Sequence, residues 1–276
     1  MKILENKKAQ ERLQHVISHY SSGWINKPER KDFLCNRIVL KEDNFYTCFR
    51  SLQGYCDLKL IYDWFHNPDV NAVRHLCYNY SKLFYVCSQP PYSYYDCEEL
   101  FAYENMAWEG VWFLLSNHVP LIKEYAKLDQ LFGKQSNNPN SPDFYTKQFF
   151  VALRGDWKEL KQRCETILAN PPKSGRGKQY MLDHKFYLGL ANGDVQGMQK
   201  VIDKLLEPKV MGRRKSYESG YTKDLICTPV LLYLKLALYH GYELQVDNPY
   251  IPNEWLPMTP LDEYVDEFDF MKNYKI

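Results

Sequence analysis

Hydrophobic residues recur three and four positions apart along most of the chain, which is the spacing of a buried helix face. The first such stripe consists of Leu13, Val16, Ile17 and Tyr20. It ends at Ser21-Ser22-Gly23, and a loop containing Pro28 is predicted to follow. The pattern thus predicts a first helix over the opening twenty residues and an irregular connection after it.

Four further helices are predicted before residue 130. A long one covers Phe45–Phe65 and is broken at Asn67-Pro68, where the proline is expected in the first turn of the next helix. That helix runs to the pair Pro90-Pro91. A fourth covers Leu100–Val111, and a fifth begins at Pro120.

The stretch 133–142, GKQSNNPNSP, is polar, carries two prolines and has no apolar residue. Such composition is typical of a linker. We therefore predict an N-terminal helical half over residues 1–132, a linker over 133–142, and a C-terminal half over 143–276.

The C-terminal half contains an internal repeat. Residues 149–168 read FFVALRGDWKELKQRCETIL, and residues 187–206 read YLGLANGDVQGMQKVIDKLL. Aligned on Gly155-Asp156 and Gly193-Asp194, the copies are 38 residues apart. Each predicts an apolar helix, a glycine in the left-handed conformation, an aspartate cap and a returning helix. The period predicts stacked helical hairpins similar to tetratricopeptide (TPR-like) repeats.

A last long helix is predicted to start at Thr228-Pro229 and to end at Gly241. The segment after it holds Pro249, Pro252, Pro257 and Pro260. We expect this proline-rich segment to run extended over the helices, and a short helix over Leu261–Tyr274 to close the chain. The fold class predicted is all-α.

Composition narrows the function classes. The net charge of +1 over 276 residues argues against a general polyanion binder. No apolar run has the length of a signal peptide or a membrane span, so a cytoplasmic protein with no membrane partner is expected. The cysteines are placed singly and are expected to be reduced core residues; they are Cys35, Cys48, Cys56, Cys77, Cys87, Cys97, Cys164 and Cys227.

Motifs for catalysis or cofactor binding are missing from the sequence. His15 and His19 share a helix face, but no third ligand is nearby. Residues 173–178, KSGRGK, only superficially resemble a phosphate loop, because Gln179 stands where a serine or threonine is needed. We predict no catalytic residues, no metal, no cofactor and no nucleic-acid partner.

Two acidic segments with interleaved aromatic residues favour a protein-binding surface. Aromatic rings can anchor a partner, and carboxylates can steer a basic one. The alternative is a solvated acidic face with core aromatic residues behind it. The candidate partner-binding residues are Glu98, Glu99, Glu104, Trp108, Glu109, Glu254, Trp255, Asp262, Glu263, Asp266, Glu267 and Asp269.

The C-terminal third carries a recognisable series of motifs. A leucine-rich helix, TPVLLYLKLA over 228–237, leads to the His240-Gly241 turn. The series continues with IPNEWLP over 251–257 and PLDEY over 260–264. Over roughly residues 186–274 this pattern resembles the immunity protein 49 family, all-helical antidotes encoded beside bacterial polymorphic toxins. Residues 1–130 match no motif of that family.

The resemblance implies inhibition by binding: the chain would hold a cognate protein toxin in the producing cell. It brings no catalytic residues with it. Two other hypotheses stay open, a helical-repeat adaptor that binds a peptide or protein, and a helical enzyme with an unfamiliar site. The enzyme hypothesis predicts a deep polar pocket with histidine or carboxylate groups of shifted pKa.

Overall fold

A computed structural model describes residues 2–23, 27–92, 103–173, 175–214 and 217–276. These residues form α-helices and short 3₁₀ turns, which confirms the all-α prediction. The helices are α1 (Lys7–Ser21), α2 (Pro28–Leu40), α3 (Phe45–His66), α4 (Val70–Ser88), α5 (Tyr103–Ser116), α6 (Val119–Tyr125), α7 (Pro142–Arg154), α8 (Trp157–Ala169), α9 (Gly175–Gln179), α10 (Met181–Asn192), α11 (Val195–Leu205), α12 (Pro208–Arg214) and α13 (Thr228–Tyr239).

Helix α2 stands where the sequence predicts a loop. Pro28 occupies its first turn, where the missing N–H costs nothing. Only Leu34 and Ile38 of this helix are buried, whereas Phe33 and Leu40 are 44% and 68% exposed. Because hydrophobic residues lie on both sides of the helix, no single stripe marks it in the sequence.

The predicted start of α4 at Pro68 is wrong. Asp69 is its N-cap, since the carboxylate accepts a hydrogen bond of 2.8 Å from the backbone N–H of Asn71. Pro68 lies outside the helix, and Val70 is the first helical residue. An aspartate cap supplies a side-chain acceptor, which a proline cannot.

The internal repeat is visible in the backbone. Gly155 and Gly193 both adopt left-handed φ angles, 76° and 66°, after α7 and α10. In each copy the following aspartate N–H bonds a carbonyl five residues back, at 3.1 Å for Asp156 and 2.8 Å for Asp194. This is the Schellman arrangement, and it turns α8 and α11 back along the helices before them. Both copies are therefore helical hairpins, and α8 and α11 each pack on α10.

The helices on the two sides of residues 133–142 touch each other. Helix α5 packs against α7 and α13, and a single hydrophobic core includes residues of both halves. Within the stretch itself, Lys134–Asn137 form a 3₁₀ turn against α7, and Ser136 is buried. The division into two halves stays a prediction.

The proline-rich segment runs extended after α13, as predicted, apart from a 3₁₀ turn at Asn253–Trp255. The predicted closing helix over Leu261–Tyr274 is wrong, because only Asp269–Asn273 form a 3₁₀ turn. Burial alternates instead with period two: side chains 264, 266, 268 and 270 turn inward, and 263, 265, 267 and 269 are exposed. That alternation belongs to an extended chain lying on a surface.

Candidate functional site

The end of the chain, residues 257–271, is held on the helices by buried polar side chains. We call these residues the C-terminal strap. Asn79 of α4 is fully buried, and its amide donates to the carbonyl of Val265 at 3.2 Å. The same amide accepts from the backbone N–H of Glu267 at 2.8 Å. Asn79 thus completes backbone hydrogen bonds that an extended segment cannot make within itself.

Hydrogen bonds from Lys235 and Asn117 hold the start of the strap. Lys235 of α13 is completely buried, and its ammonium group donates to Asn117 Oδ1 at 2.7 Å and to the carbonyl of Leu256 at 3.1 Å. Asn117 in turn donates to the carbonyls of Pro257 and Thr259. Burial, with a smaller contribution from Arg74, lowers the pKa of Lys235 to about 7.

Two of the predicted partner-binding acids form ion pairs within the chain. Asp266 pairs with Lys82 at 2.7 Å, and both side chains are largely buried. Glu267 pairs with Lys31 at 3.2 Å with about a quarter of each side chain exposed. These carboxylates fasten the strap to α4 and α2, so their charges are already matched.

Other predicted acids remain available on the surface. Glu254, Asp262 and Glu263 are exposed, and no basic side chain of the described residues lies within salt-bridge distance of them. Asp269 is exposed and bonds Lys272 at 2.6 Å, which lowers the pKa of the carboxyl group. Val265, 49% exposed, places an apolar side chain among these acids.

An apolar groove lies next to Glu254. It has a volume of about 530 Å³ and runs between the end of α3 and the proline-rich segment. Phe65, Pro68 and Pro249 supply the exposed part of its wall. Asp247, Glu254 and one lysine, Lys2, are exposed at its rim, so the rim is acidic on balance. Apolar walls with an acidic rim suit a basic, partly hydrophobic protein segment.

The two predicted aromatic anchors are core residues. Trp255 is 1% exposed and packs edge-to-face on Trp64, with ring centroids 5.3 Å apart. Trp108 is 8% exposed and stacks on Tyr217 at 4.6 Å. Neither ring can anchor a partner in this conformation, so the interpretation of core aromatics behind an acidic face fits both tryptophans.

The first acidic segment is only partly described. Glu109 forms an ion pair with Arg50 at 2.6 Å and borders a cavity of about 240 Å³. Glu98 and Glu99 lie outside the described residues, and so does the side chain of Glu104. This segment therefore contributes one described acid, and its charge is paired.

Several described groups have shifted pKa values of the kind that the enzyme hypothesis requires. Burial raises the pKa of Asp129 and lowers that of His184 to about 4. Asp57 of α3 is buried, and burial raises its pKa to about 7, although a hydrogen bond with Ser219 acts in the opposite direction. Buried groups in structural cores also have shifted pKa values, so these residues are candidate acids or bases and identify no reaction.

The structure also contains a buried polar network that the sequence analysis missed. Asp183 of α10 accepts two hydrogen bonds from Arg214 of α12 and one from the hydroxyl of Tyr233 on α13. The hydroxyl of Tyr145 on α7 lies 3.0 Å from that of Tyr233. Four helices are joined here, and no local motif marks partners that lie 31 to 88 positions apart.

The two histidines with helical metal-ligand spacing contact each other and a tyrosine. The rings of His15 and His19 lie 4.0 Å apart and are tilted by 49°, and Nδ1 of His19 contacts the hydroxyl of Tyr221. Within the described ranges, no group of three or more histidine, cysteine, aspartate or glutamate side chains is arranged to hold a metal. In the same ranges, every helix is too short or too polar to cross a membrane.

Comparison with known proteins gave no match to a protein-family model, to a curated protein or to a solved structure. The resemblance to the immunity protein 49 family therefore stays a prediction that rests on the C-terminal motifs.

Proposed function

We propose that this chain is an immunity protein that binds a cognate bacterial toxin in the cytoplasm of the producing cell and neutralises it. The motifs that carry the family resemblance, IPNEWLP and PLDEY, lie in the proline-rich segment and the strap. In these motifs Ile251 and Trp255 are buried, whereas Glu254, Asp262 and Glu263 are exposed. The motifs thus supply both the packing that positions this surface and the charges that it presents.

One observation supports the proposal most strongly. A chain segment without regular structure is fixed by buried polar contacts, yet it keeps three carboxylates exposed and unpaired among the described residues. A rigid surface loses little conformational entropy when it binds. Unpaired acids speed the approach of a basic partner and orient it.

The groove beside Glu254 supplies the apolar part of the interface in this proposal. A partner segment with a hydrophobic side chain would bury it against Phe65, Pro68 and Pro249, which are partly or fully exposed, and adjacent lysine or arginine residues would meet Asp247 and Glu254. An apolar contact surrounded by a charged rim is the usual anatomy of a protein interface.

The experiment is calorimetric titration of the purified protein with the C-terminal toxin domain encoded next to its gene. The variant Glu254→Lys/Asp262→Lys/Glu263→Lys should bind at least tenfold more weakly. The charge-matched control is Glu165→Lys/Asp203→Lys/Glu207→Lys, at three exposed positions on α8, on α11 and just after α11, because it changes the net charge by the same six units. If the neighbouring protein does not bind the wild type, the proposal fails and the adaptor hypothesis gains. If the triple variant binds like the control, the interface lies elsewhere.

A further inference from the structure

The charges of the chain are separated along its sequence. Residues 157–215 contain 13 lysines and arginines but six acids, whereas residues 241–276 contain eight acids and two lysines. The net charge of +1 is therefore no argument against a local site for a polyanion, because it adds regions of opposite sign. The acidic region carries the surface proposed for toxin binding, and the basic region covers α8 to α12.

Two segments of the basic region contain no acid, and one arginine joins them. They are residues 173–179, KSGRGKQ, and residues 208–215, PKVMGRRK. Arg214 of α12 donates a hydrogen bond of 3.2 Å to the backbone carbonyl of Gln179, which ends α9. The same guanidinium group pairs with Asp183 of α10, and both side chains are almost completely buried. The buried ion pair therefore fixes α12 beside the end of α9.

Lys178 and Arg213 flank this junction. Lys178 precedes Gln179, and Arg213 precedes Arg214, so both side chains leave the backbone next to the bonded residues. Lys209 lies four residues before Arg213 on α12, a spacing that places two side chains on one helix face. Three cations thus lie around the contact between α9 and α12.

A fourth cation belongs to the loop that leads into α9. Pro172 packs on Gly177, since a Cβ atom at Gly177 would lie only 3.0 Å from Pro172 Cγ. The chain therefore folds back between these two residues. Lys173 follows the first of them and Lys178 follows the second, so the two lysines are neighbours across the closed loop. We call these four residues the basic cluster: Lys173, Lys178, Lys209 and Arg213.

The described part of the chain holds no counter-charge for the basic cluster. All four side chains are exposed, and none of them forms an ion pair with a described residue. The acid nearest in sequence to α12, Glu207, is bonded to Lys204 at 2.8 Å. Because the ammonium and guanidinium groups are unmatched, the cluster attracts anions from solution.

The surroundings of the basic cluster favour a phosphate polyanion over an acidic protein. The exposed large hydrophobic side chains of the described residues all lie on other segments; they are Phe33, Val39, Leu40, Val119, Val195, Val265 and Ile276. A protein interface normally has an apolar, desolvated centre. Nucleic-acid phosphates, by contrast, are bound by lysine and arginine side chains that release counterions.

We propose that the basic cluster binds the phosphate backbone of a nucleic acid without reading its base sequence. Lys173, Lys178, Lys209 and Arg213 each contact one phosphate group. The pair of Arg214 with Asp183 holds the two segments together, so the four cations face the backbone as one site. This activity is independent of toxin binding, whose acids belong to residues 241–276.

The test measures fluorescence anisotropy of two labelled probes, a 20-base-pair DNA duplex and a 20-nucleotide single-stranded RNA, with the full chain. Four phosphate contacts predict that the logarithm of the association constant falls with the logarithm of the salt concentration, with a slope of about −3.6 for the duplex and about −2.8 for the single strand. A 20-residue poly-glutamate serves as the acidic-protein probe and should bind at least about tenfold more weakly than either nucleic acid.

Removal of the basic cluster should abolish this salt dependence. Lys173→Gln/Lys178→Gln/Lys209→Gln/Arg213→Gln should weaken both nucleic acids at least about tenfold and bring both slopes close to zero. The matched control removes four lysines from exposed positions on other elements and should leave the slopes unchanged; it is Lys7→Gln/Lys8→Gln/Lys41→Gln/Lys123→Gln.

Three results would each overturn the proposal. One is equal weakening by the two quadruple variants, and another is poly-glutamate binding as tight as that of the duplex, which would indicate a site for an acidic protein. The third is no nucleic-acid binding at about 100 µM protein in low salt, where non-specific binding is strongest. If a variant does not fold, the wild-type slopes and the poly-glutamate comparison still decide.

Discussion

Lys235 and Asn117 form a buried pair in which a charged ammonium group donates to a neutral amide oxygen over 2.7 Å. Both residues are at most 2% exposed, and each also bonds backbone carbonyls of the C-terminal segment. Burial of a lysine among neutral acceptors is unfavourable, because the charged ammonium group loses its solvation by water. The side chain that holds the start of the strap, Lys235, is therefore one whose protonation depends on folding.

This burial gives a pH dependence. The pKa of Lys235 is lowered to about 7 in the folded protein, whereas the unfolded chain keeps the group protonated to about pH 10. At this group the unfolded state then binds more protons between these values, so Lys235 should add up to about 1.4 kcal/mol per pH unit to the free energy of unfolding. The buried thiols of Cys56 and Cys77, whose pKa values burial raises, act in the opposite direction at the upper end of this range. Below pH 7 this contribution to the slope should vanish.

Urea unfolding of the wild type and Lys235→Met at pH 7 and pH 9.5 measures the effect. From pH 7 to pH 9.5 the wild type should gain stability relative to the variant, because the other titrating groups are common to both and lost hydrogen bonds lower the stability of the variant at both values. Parallel changes in the two proteins would mean that Lys235 keeps an ordinary pKa.

Asn79 is predicted to control the strap locally. The variant Asn79→Ala removes the side chain that bonds Val265 and Glu267, and the free energy of unfolding should fall by about 1–3 kcal/mol. Hydrogen exchange should become faster over residues 262–271, whereas helices α7 to α11 should be unchanged. Asn36→Ala, an exposed asparagine on α2, is the matched control. Faster exchange throughout the chain would show that Asn79 supports the core and has no specific role at the strap.

The acids of the strap should divide into two classes. Asp266→Asn leaves the largely buried Lys82 without its carboxylate and should lower the free energy of unfolding by about 2–4 kcal/mol. Asp262→Asn, at an exposed and unpaired position, should change it by no more than about 0.5 kcal/mol. Thermal unfolding of the two variants compares them directly, and similar losses would contradict the assignment of Asp266 to an internal ion pair.

The two repeat glycines should be equally sensitive to substitution. Gly155→Ala and Gly193→Ala force an alanine into left-handed φ angles and should each lower the free energy of unfolding by about 1–2 kcal/mol. Gly54→Ala, inside α3 with open space around the added methyl group, should instead stabilise the protein by about 0.5–1 kcal/mol. A neutral result at Gly155 and Gly193 would show that the hairpin turns relax at little cost.

Local chemistry made the repeat predictable from the sequence. Gly155-Asp156 and Gly193-Asp194 need only their own turn to specify the conformation, and the structure reproduces both. The predicted closing helix over Leu261–Tyr274 was wrong because distant contacts, and not local ones, determine the conformation of this segment. The carbonyl of Val265 is bonded by Asn79 and His75, which are 186 and 190 positions away, and no sequence pattern shows such partners.

The sequence identifies the acids of the candidate surface, but it does not show which of them are paired within the chain. Exposure of Glu254, Asp262 and Glu263 agrees with the acidic surface inferred from composition. Pairing of Asp266 with Lys82, and burial of Trp255 against Trp64, depend on how distant helices pack. Composition identifies the charges of a segment, whereas tertiary contacts decide which of them are left for a partner.

As an immunity protein, this chain would protect its cell by binding a toxin. The most direct measurement is the growth of bacteria that express the toxin domain encoded beside it. A second plasmid produces the wild type, Glu254→Lys/Asp262→Lys/Glu263→Lys, or the control Glu165→Lys/Asp203→Lys/Glu207→Lys. The wild type and the control should restore growth, and the variant at Glu254, Asp262 and Glu263, present at the same level, should not. Failure of the wild type to protect against a toxin that is active in the same cells would contradict the account.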